Sequence, residues 1–448
     1  MAKWRDVLNI NARNRLFLIL NSKKGRRIAN SKILTKKVMK KAGIPVPRLY
    51  AVFKTREQVN QFAWEKLKGN FVIKPTRGYA GEGILMIRKR GKWAGEWLLM
   101  DGSKVSTADL KFHIGDIFAG RYSLKDLPDK AFIEERIKIH PIFKKYVYQG
   151  TPDIRVIVFN NIPVMAMLRL PTAESKGRAN LHQGAIGAGI DLATGITTYG
   201  VRHNRAVKYI PHSGRKINGL KLPFWDEVLL FSVKAQEAVP RLGYLGIDFF
   251  LSQEKGPVIV ELNAKPGLSI QICNRDGLFR RLTRVQGLEV RSPEHGVRIA
   301  KNLFAERFAD RVMAEKGIKT LKVLEPAKIK IGKKKWHEVF AKIDTGAFRS
   351  SIDRQLVAEL GLSVKKNVLY SRHYRSSMGK RRERKIIELT FRIGGRRIKT
   401  AVNVVDRSHL STPLLIGRRD LAGFLIKPEP ITTGKSEVKS LQMEKRGE

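Results

Sequence analysis

Between Gly246 and Asn263 the chain reads Gly246-Ile247-Asp248-Phe249-Phe250-Leu251, a polar stretch from Gln253 to Gly256, and then Val258-Ile259-Val260-Glu261-Leu262-Asn263. Two apolar runs rich in β-branched and aromatic residues around a glycine-containing turn predict a hairpin. With the turn centred between Glu254 and Lys255, Asp248 stands opposite Glu261, and Asn263 shares their face because strand side chains alternate. A three-residue turn would shift the pairing by one and turn the two carboxylates apart. Like charges opposed in a sheet are destabilising, so this pair calls for a positive partner. A divalent cation is one. Two carboxylates and an amide suit Mg²⁺, with Mn²⁺ as the alternative, because Mg²⁺ keeps several waters and is completed by nucleotide phosphates.

A chain of 448 residues is too long for one ordinary core, so two or three domains are expected. The single cysteine, Cys273, excludes an internal disulfide and a Cys-rich zinc site and fits a reducing compartment. No apolar run is long enough to span a bilayer, and Met1-Ala2-Lys3-Trp4-Arg5-Asp6 is not followed by a signal-peptide core. A cytoplasmic protein with no membrane partner is the expectation. The net charge of +48 comes from 88 Lys and Arg against 40 Asp and Glu and is spread over every segment, from Lys23-Lys24-Gly25-Arg26-Arg27 to Lys380-Arg381-Arg382. It admits contact with a ribosome or RNA, or a basic host proteome combined with attraction for an acidic substrate.

Ser31 to Gly43 reads as a helix, with Ser31 as N-cap, Ile33, Leu34, Val38 and Met39 as its apolar face, and Gly43 ending it before Pro45. Further on, a strand at Leu49–Phe53, a helix near Arg56–Leu67 and strands at Phe71–Lys74, Ala131–Glu134, Asp153–Phe159 and Pro163–Leu170 form a mostly antiparallel pattern. An amphipathic helix, Trp225–Leu242, precedes the hairpin. This is an α+β texture, not regular βαβ alternation. A charged helical stretch from Pro293 to Lys316 leads to short strands at Lys328–Ile331, Val339–Ile343, Ile386–Ile393, Ile398–Val405 and Leu414–Ile416, with a hairpin signal at Gly394-Gly395. That texture predicts a small β-barrel. The expected divisions are an extension at 1–30, a first domain at 31–288, a linker at 289–325, a barrel at 326–430 and a flexible tail at 431–448.

Lys74 ends an apolar strand, Pro75-Thr76-Arg77-Gly78-Tyr79-Ala80-Gly81-Glu82-Gly83 follows, and Ile84-Leu85-Met86-Ile87 is another strand. A Rossmann turn or P-loop would lead into a helix instead, and no G-x-x-x-x-G-K-[ST] occurs. Glycines at 78, 81 and 83 let backbone N–H groups approach phosphate, and Lys74 adds a point charge.

Together with Ala131-Phe132-Ile133-Glu134-Glu135-Arg136, Asp153-Ile154-Arg155, Arg178-Ala179-Asn180-Leu181-His182-Gln183-Gly184 and Asn263-Ala264-Lys265-Pro266-Gly267, these motifs resemble the ATP-grasp superfamily over residues 28–285, most closely the alpha-L-glutamate ligases of the RimK type. The resemblance implies two α+β subdomains holding ATP and an amide-forming ligase that works through an acyl-phosphate. Lys32 and Lys74 would bind the nucleotide beside Gly78, Gly81 and Gly83. Glu135 and Ile137 would form the adenine hinge, with Asp153 near the ribose and Arg178 and Asn180 at the phosphates and acceptor. Asp248, Glu261 and Asn263 would hold the metal, while Arg155 and Arg169 are catalytic candidates for stabilising developing charge. The implied partners are a peptide or protein carboxylate and an amino acid, glutamate by family, with acidic polyglutamate suiting so basic a chain. Only about thirty residues precede Lys32, where RimK-type enzymes carry a substantial domain, which leaves acceptor and amine open.

Val339-Phe340-Ala341-Lys342-Ile343-Asp344-Thr345-Gly346-Ala347, with Leu414-Leu415-Ile416-Gly417-Arg418, resembles retropepsin-like aspartic proteases and the family named ATP-dependent zinc proteases. One Asp-Thr-Gly per chain implies a homodimer that brings two copies of Asp344 together, since the chemistry needs two carboxylates sharing a proton. No H-E-x-x-H is present and His337, His373 and His409 are scattered, so no zinc ligand is read from them. Two other readings stand beside the ligase. One is a ribosome- or RNA-associated protein with a regulatory ATP-grasp, the other a protease with a degenerate ligase half.

Overall fold

The computed structural model describes residues 4–78, 81–123, 126–305, 319–332, 335–362, 367–375 and 381–426. Contacts divide the chain into two compact units, Met1–Val297 and Arg298–Glu448.

The first unit holds two antiparallel sheets. One has six strands in the order β1 (Leu49–Phe53), β6 (Ala131–Glu135), β2 (Phe71–Pro75), β3 (Leu85–Arg90), β4 (Glu96–Leu99) and β5 (Lys104–Ser106). Helix Thr107–Phe118 covers it, started by a capping box between Ser106 and Asp109 and burying Leu110, Ile114 and Ile117 against Phe71, Ile73 and Trp97. The helix Lys32–Lys41 begins as expected, with the Ser31 hydroxyl accepting from the Leu34 N–H at 3.3 Å. The helix expected to reach Leu67 stops at Asn60. Trp64 turns its indole N–H back to the Val59 carbonyl (3.1 Å) and packs beside Phe53 and Phe62, so ring burial displaces the next helical turns.

The other sheet has seven strands in the order β11 (Arg205–Val207), β10 (Thr197–Arg202), β9 (Ile186–Ile190), β8 (Ile162–Leu170), β7 (Asp153–Phe159), β12 (Tyr244–Ser252) and β13 (Gly256–Asn263). Helix Trp225–Ala238 packs on it, ending short of Leu242 because Pro240 disfavours helical geometry in the residue before it.

The β12–β13 hairpin corrects the expected turn. Ser252 pairs with Gly256, Leu251 with Pro257 and Phe249 with Ile259, so the turn has three residues, Gln253 to Lys255. Uninterrupted, this register would put Val260 opposite Asp248 and Glu261 on the other face. A β-bulge between Ile259 and Glu261 inserts Val260 as an extra residue, and Asp248 pairs with Glu261 after all.

Residues 4–31 are built into this unit. Leu8 exchanges backbone hydrogen bonds with the Gln271 amide (2.8 and 3.0 Å), and the Asn21 amide donates to the carbonyls of Tyr244 (2.8 Å) and Ala264 (3.0 Å).

In the second unit, six strands close into a barrel: β15 (Leu324–Lys330), β16 (Trp336–Asp344), β21 (Leu414–Gly417), β17 (Ser351–Asp353), β20 (Arg396–Val405) and β19 (Arg381–Ile393), with β19 pairing back to β15. Strand β18 (Val368–Arg375) adds to β19 outside the ring, and β14 (Lys319–Leu321) pairs with β22 (Phe424–Ile426). Ile329, Ile343, Leu389, Phe391, Val402 and Leu414 fill the core. Gly394 and Gly395 both take the left-handed conformation in a two-residue turn that brings Ile393 opposite Arg396. Strand β21 runs between β16 and β17, parallel to the first and antiparallel to the second. A Cβ on Gly417 would lie 2.5 Å from the Arg349 carbonyl carbon, so glycine is what lets β21 approach the loop after Asp344. The helix expected from Pro293 to Lys316 is described as Pro293–Leu303; residues 306–318 and the expected tail at 431–448 lie outside the described residues.

Candidate functional site

A cavity of about 680 Å³ opens in the first unit. Lys32, Lys74, Gly78, Gly81, Gly83, Glu135, Ile137, Asp153, Arg155, Arg169, Arg178, Asn180, Asp248 and Glu261 line it. Asn263 stands behind Asp248, its amide nitrogen 3.3 Å from the Asp248 Oδ2. Of the candidate site residues read from the sequence, only Asp344 belongs to the other unit.

One wall is built on β2 and β6. Val72 pairs with Glu134, so Lys74, two residues along β2, is the diagonal neighbour of Glu134 on the same face. The Lys74 ammonium lies 2.5 Å from Glu134 Oε1, and Lys36 reaches the other oxygen at 2.5 Å. Burial works against the Glu134 carboxylate, but Lys74 and Lys36 hold its pKa below the ordinary range; burial also lowers that of Lys36. The buried triad carries one surplus positive charge beside the cavity. Removing Glu134 from this cluster would cost about 3–5 kcal/mol, because it strands buried ammonium charge, whereas losing one lysine leaves a balanced pair. Neither Lys36 nor Glu134 was expected here. Lys36 had a signal, since it falls four residues after Lys32 on one helix face. Glu134 had none, because only the fold brings it between two lysines.

The glycine loop is pinned at both ends. The Thr76 hydroxyl (2.5 Å) and the Arg77 N–H (2.7 Å) donate to the Asp129 carboxylate. At the far end Gly83 has a φ of +70°, and a Cβ there would lie 2.6 Å from the Tyr122 ring, while His113 Nε2 is 3.0 Å from its carbonyl oxygen. Arg178 reaches towards Glu82 of the loop at 3.9 Å. Asn180 accepts from the His182 N–H at 3.0 Å and so caps the turn Leu181–Gln183.

The other wall is one face of the seven-stranded sheet. Arg169 pairs with Asp153 across β8 and β7, Arg155 with Asp248 across β7 and β12, and Asp248 with Glu261 across β12 and β13. Arg155 holds Asp248 in a two-pronged contact at 2.7 and 2.6 Å, and Arg169 does the same to Asp153 at 2.5 and 2.7 Å. Arg169 also donates to Asp248 at 2.8 Å. Both arginines thus act as counter-ions to the two buried aspartates. Burial pushes the Asp153 carboxyl up to about 6, Arg169 opposing and Asp248 adding to the rise. At Asp248 burial is outweighed by Arg155 and Arg169, and its pKa is lowered.

The Glu261 side chain is 41% exposed and its carboxylate is 3.9 Å from Lys32, leaving it accessible from the cavity. Among the described residues no group of three or more His, Cys, Asp or Glu side chains could enclose a metal ion. Both Asp248 oxygens are held by arginines and Glu261 is partly exposed, so a cation bound here would take its remaining ligands from water and phosphate and not from a closed protein cage. Glu135 is bound by Lys255 at 2.5 and 2.6 Å and accepts from the Arg48 N–H at 3.2 Å, which fixes the chain ahead of the buried Ile137.

In the barrel, Asp344 Oδ1 accepts from the N–H groups of Gly346 (2.8 Å) and Ala347 (2.9 Å), closing the Asp-Thr-Gly turn on itself. The Arg418 N–H donates to the Ala347 carbonyl at 2.8 Å and ties that turn to the end of β21.

The raised pKa of Asp153 has a definite sign in stability. The folded state holds the proton more tightly than the unfolded chain, so Asp153 contributes stability at low pH that is lost as pH rises from about 4 to about 6. Asp153→Asn removes that loss. Its melting temperature relative to the unmodified protein should climb across this interval and level off above it, as read by thermal unfolding at a series of pH values. A difference that falls over the same interval would contradict the assignment.

Residues 11–287 match the family model described as sugar-transfer associated ATP-grasp. No curated protein matches the chain. Among solved structures, the chain is similar to the ATP-grasp ligase PsnB complexed with minimal precursor, at 18% identity and a TM-score of 0.33, covering 59% of this chain and 62% of that one. It is also similar to the D-cycloserine synthetase DcsG at 10% identity and a TM-score of 0.34, covering 59% and 72%. A third is the D-alanine–D-alanine ligase from Bacillus anthracis complexed with ATP, at 15% identity and a TM-score of 0.33, covering 63% and 70%. The chain spans about three-fifths of the length of the PsnB structure. With the family model covering well over half of its residues, the chain belongs to the sugar-transfer associated ATP-grasp family.

Proposed function

We propose that the first unit, with residues 31–288 as its ligase domain, uses ATP and Mg²⁺ to join a carboxylate to an amine. A carboxylate oxygen attacks the γ-phosphorus and ADP leaves; the amine nitrogen then attacks the acyl-phosphate carbon, phosphate leaves, and the amine gives up a proton. The observation that carries this reading is the convergence on one cavity of a lysine-bearing wall, a pinned glycine loop and the Asp248/Glu261 pair flanked by two arginines, with the Asn263 amide against Asp248. Lys32, Lys74 and the backbone of Gly78, Gly81 and Gly83 bind the phosphates, while Glu135 and Ile137 flank the adenine and Asp153 the ribose. Arg155 and Arg169 move part of their charge from the aspartates to the transferring phosphoryl group, with Arg178 and Asn180 at the acceptor side. Asp248, Glu261 and Asn263 would hold Mg²⁺, which neutralises phosphate charge when bound. The RimK-type resemblance makes a peptide or protein carboxylate the acceptor and glutamate the amine.

ADP release should require both a carboxylate and an amine, and Glu261→Gln should lower it by on the order of 100-fold with the fold unchanged, since Glu261 is a partly exposed ligand. Release at an equal rate with water alone, or full turnover in Glu261→Gln, would rule the ligase out.

For residues 326–430 we propose a retropepsin-like barrel in which Asp344 meets its own copy in a homodimer. Support comes from the Asp-Thr-Gly turn at the end of β16 and the passage of β21 between β16 and β17. Asp344→Asn should remove peptide cleavage while leaving ADP release intact. Cleavage that persists in this variant would contradict the proposal.

A further inference from the structure

Residues 4–20 form an irregular run of short helical turns, Trp4–Asp6, Ile10–Ala12, Arg13–Phe17 and Leu18–Leu20. Its inward contacts are specific. Leu8 is hydrogen-bonded through both backbone groups to Gln271, the Arg13 guanidinium donates to the Pro266 carbonyl at 3.0 Å, and Phe17 packs on Phe159 and Tyr244 with ring centroids at 5.4 and 5.9 Å. Gly277 makes room for the Asp6 backbone, since a Cβ there would lie 2.0 Å from the Asp6 carbonyl oxygen. The run is held to the body of the first unit along its length.

Its outward side is the unusual part. Trp4 is 89% exposed, Ile19 71% and Ile10 61%, and Val7, Leu16 and Leu20 are exposed as well. Six of the nineteen exposed large apolar side chains among the described residues therefore fall within seventeen consecutive positions, where scattered single exposures are the norm. Cations accompany them: Arg5, Arg15, Lys23, Lys24, Arg26 and Arg27 are all exposed, and Asp6 is the one acid in residues 4–30. The mixture narrows the occupant. A nucleic acid would satisfy the cations but leave Trp4, Ile10 and Ile19 in water. A second copy of the chain would bury the apolar residues while bringing six like charges against six. A bilayer with anionic headgroups takes both, the phosphates meeting the cations and the interface accepting the tryptophan and aliphatic side chains.

We infer that residues 4–27 are a membrane-surface docking element for a bilayer carrying anionic headgroups. The chain lies on the membrane and does not cross it; among the described residues no helix is long and apolar enough to span one.

The test is co-sedimentation of the full chain with vesicles of phosphatidylcholine alone, and with vesicles in which phosphatidylglycerol is about a third of the lipid. Binding is expected only to the second kind. Trp4→Glu, Ile10→Glu and Ile19→Glu combined should weaken it by at least about tenfold, since the three side chains that would enter the interface become anionic. These positions are exposed, so the thermal melt of the triple variant should match that of the unmodified protein. A second variant, with Lys23, Lys24, Arg26 and Arg27 changed to Gln, should also lose binding while keeping the apolar residues. Failure of the unmodified chain to sediment, or equal sedimentation of the triple variant, would overturn the proposal. So would a dimer in analytical ultracentrifugation that the triple variant abolishes, because a second copy would then be the occupant.

Discussion

Two buried aspartates on neighbouring strands set the terms for the rest of the first unit. Asp153 and Asp248 face the same cavity, and neither could stay charged there without Arg155 and Arg169, which contact their oxygens at 2.5 to 2.8 Å. A cluster of this kind adds little net stability, because desolvating four charges offsets most of their attraction, but losing one member leaves an uncompensated charge. Its effect is geometric. The pairs are direct cross-strand neighbours, so the register of β8, β7 and β12 has to keep Arg169 beside Asp153 and Arg155 beside Asp248. The bulge at Val260 extends the row to β13 by turning Glu261 onto the same face.

The opposite wall solves a related problem with the signs exchanged. Glu134 is nearly inaccessible to water and lies between Lys36 and Lys74, leaving one unit of positive charge in excess. A polyanion is the natural counterpart of such a wall, and the pinned glycine loop adds backbone N–H groups to it. Across the cavity Arg155 and Arg169 balance Asp153 and Asp248, and Glu261, partly exposed and 3.9 Å from Lys32, is the carboxylate left facing the same polyanion. Under the proposed ligase reading, a nucleotide would set its phosphates against the lysine wall and its divalent ion beside Glu261.

Much of this was legible in the sequence because it depends on local order. The strand–glycine loop–strand succession, the Ser31 cap, the Asp248–Glu261 hairpin and the Gly394-Gly395 turn are short-range patterns, and the structure contains all four. What escaped depends on neighbours far apart in the chain. The bulge at Val260 has no signal within the hairpin, since the alternation of its residues is the same whether or not Val260 is an extra residue on β13. Glu134 reads as an ordinary strand residue until helix Lys32–Lys41 is laid across it. Helix Thr107–Phe118 could have been found, since Ser106 and Asp109 carry the spacing of a capping box. Residues 1–30 were expected as an extension because they precede the first helix of the ATP-grasp resemblance. Residues 4–20 fold as short turns, and they and Asn21 are fixed by long-range bonds to Gln271, Pro266 and Ala264 that no local pattern announces.

The central claim is that the cavity holds nucleotide phosphates against the Lys74 wall. Calorimetric titration of a non-hydrolysable ATP analogue with Mg²⁺ into the unmodified protein and into Lys74→Met tests it most directly, because Glu134 would still be paired with Lys36 and the fold retained. Binding about tenfold weaker in Lys74→Met is the expected result, the loss of one close charge pair to phosphate. Equal affinity in the two proteins, or no binding to either, would contradict the account.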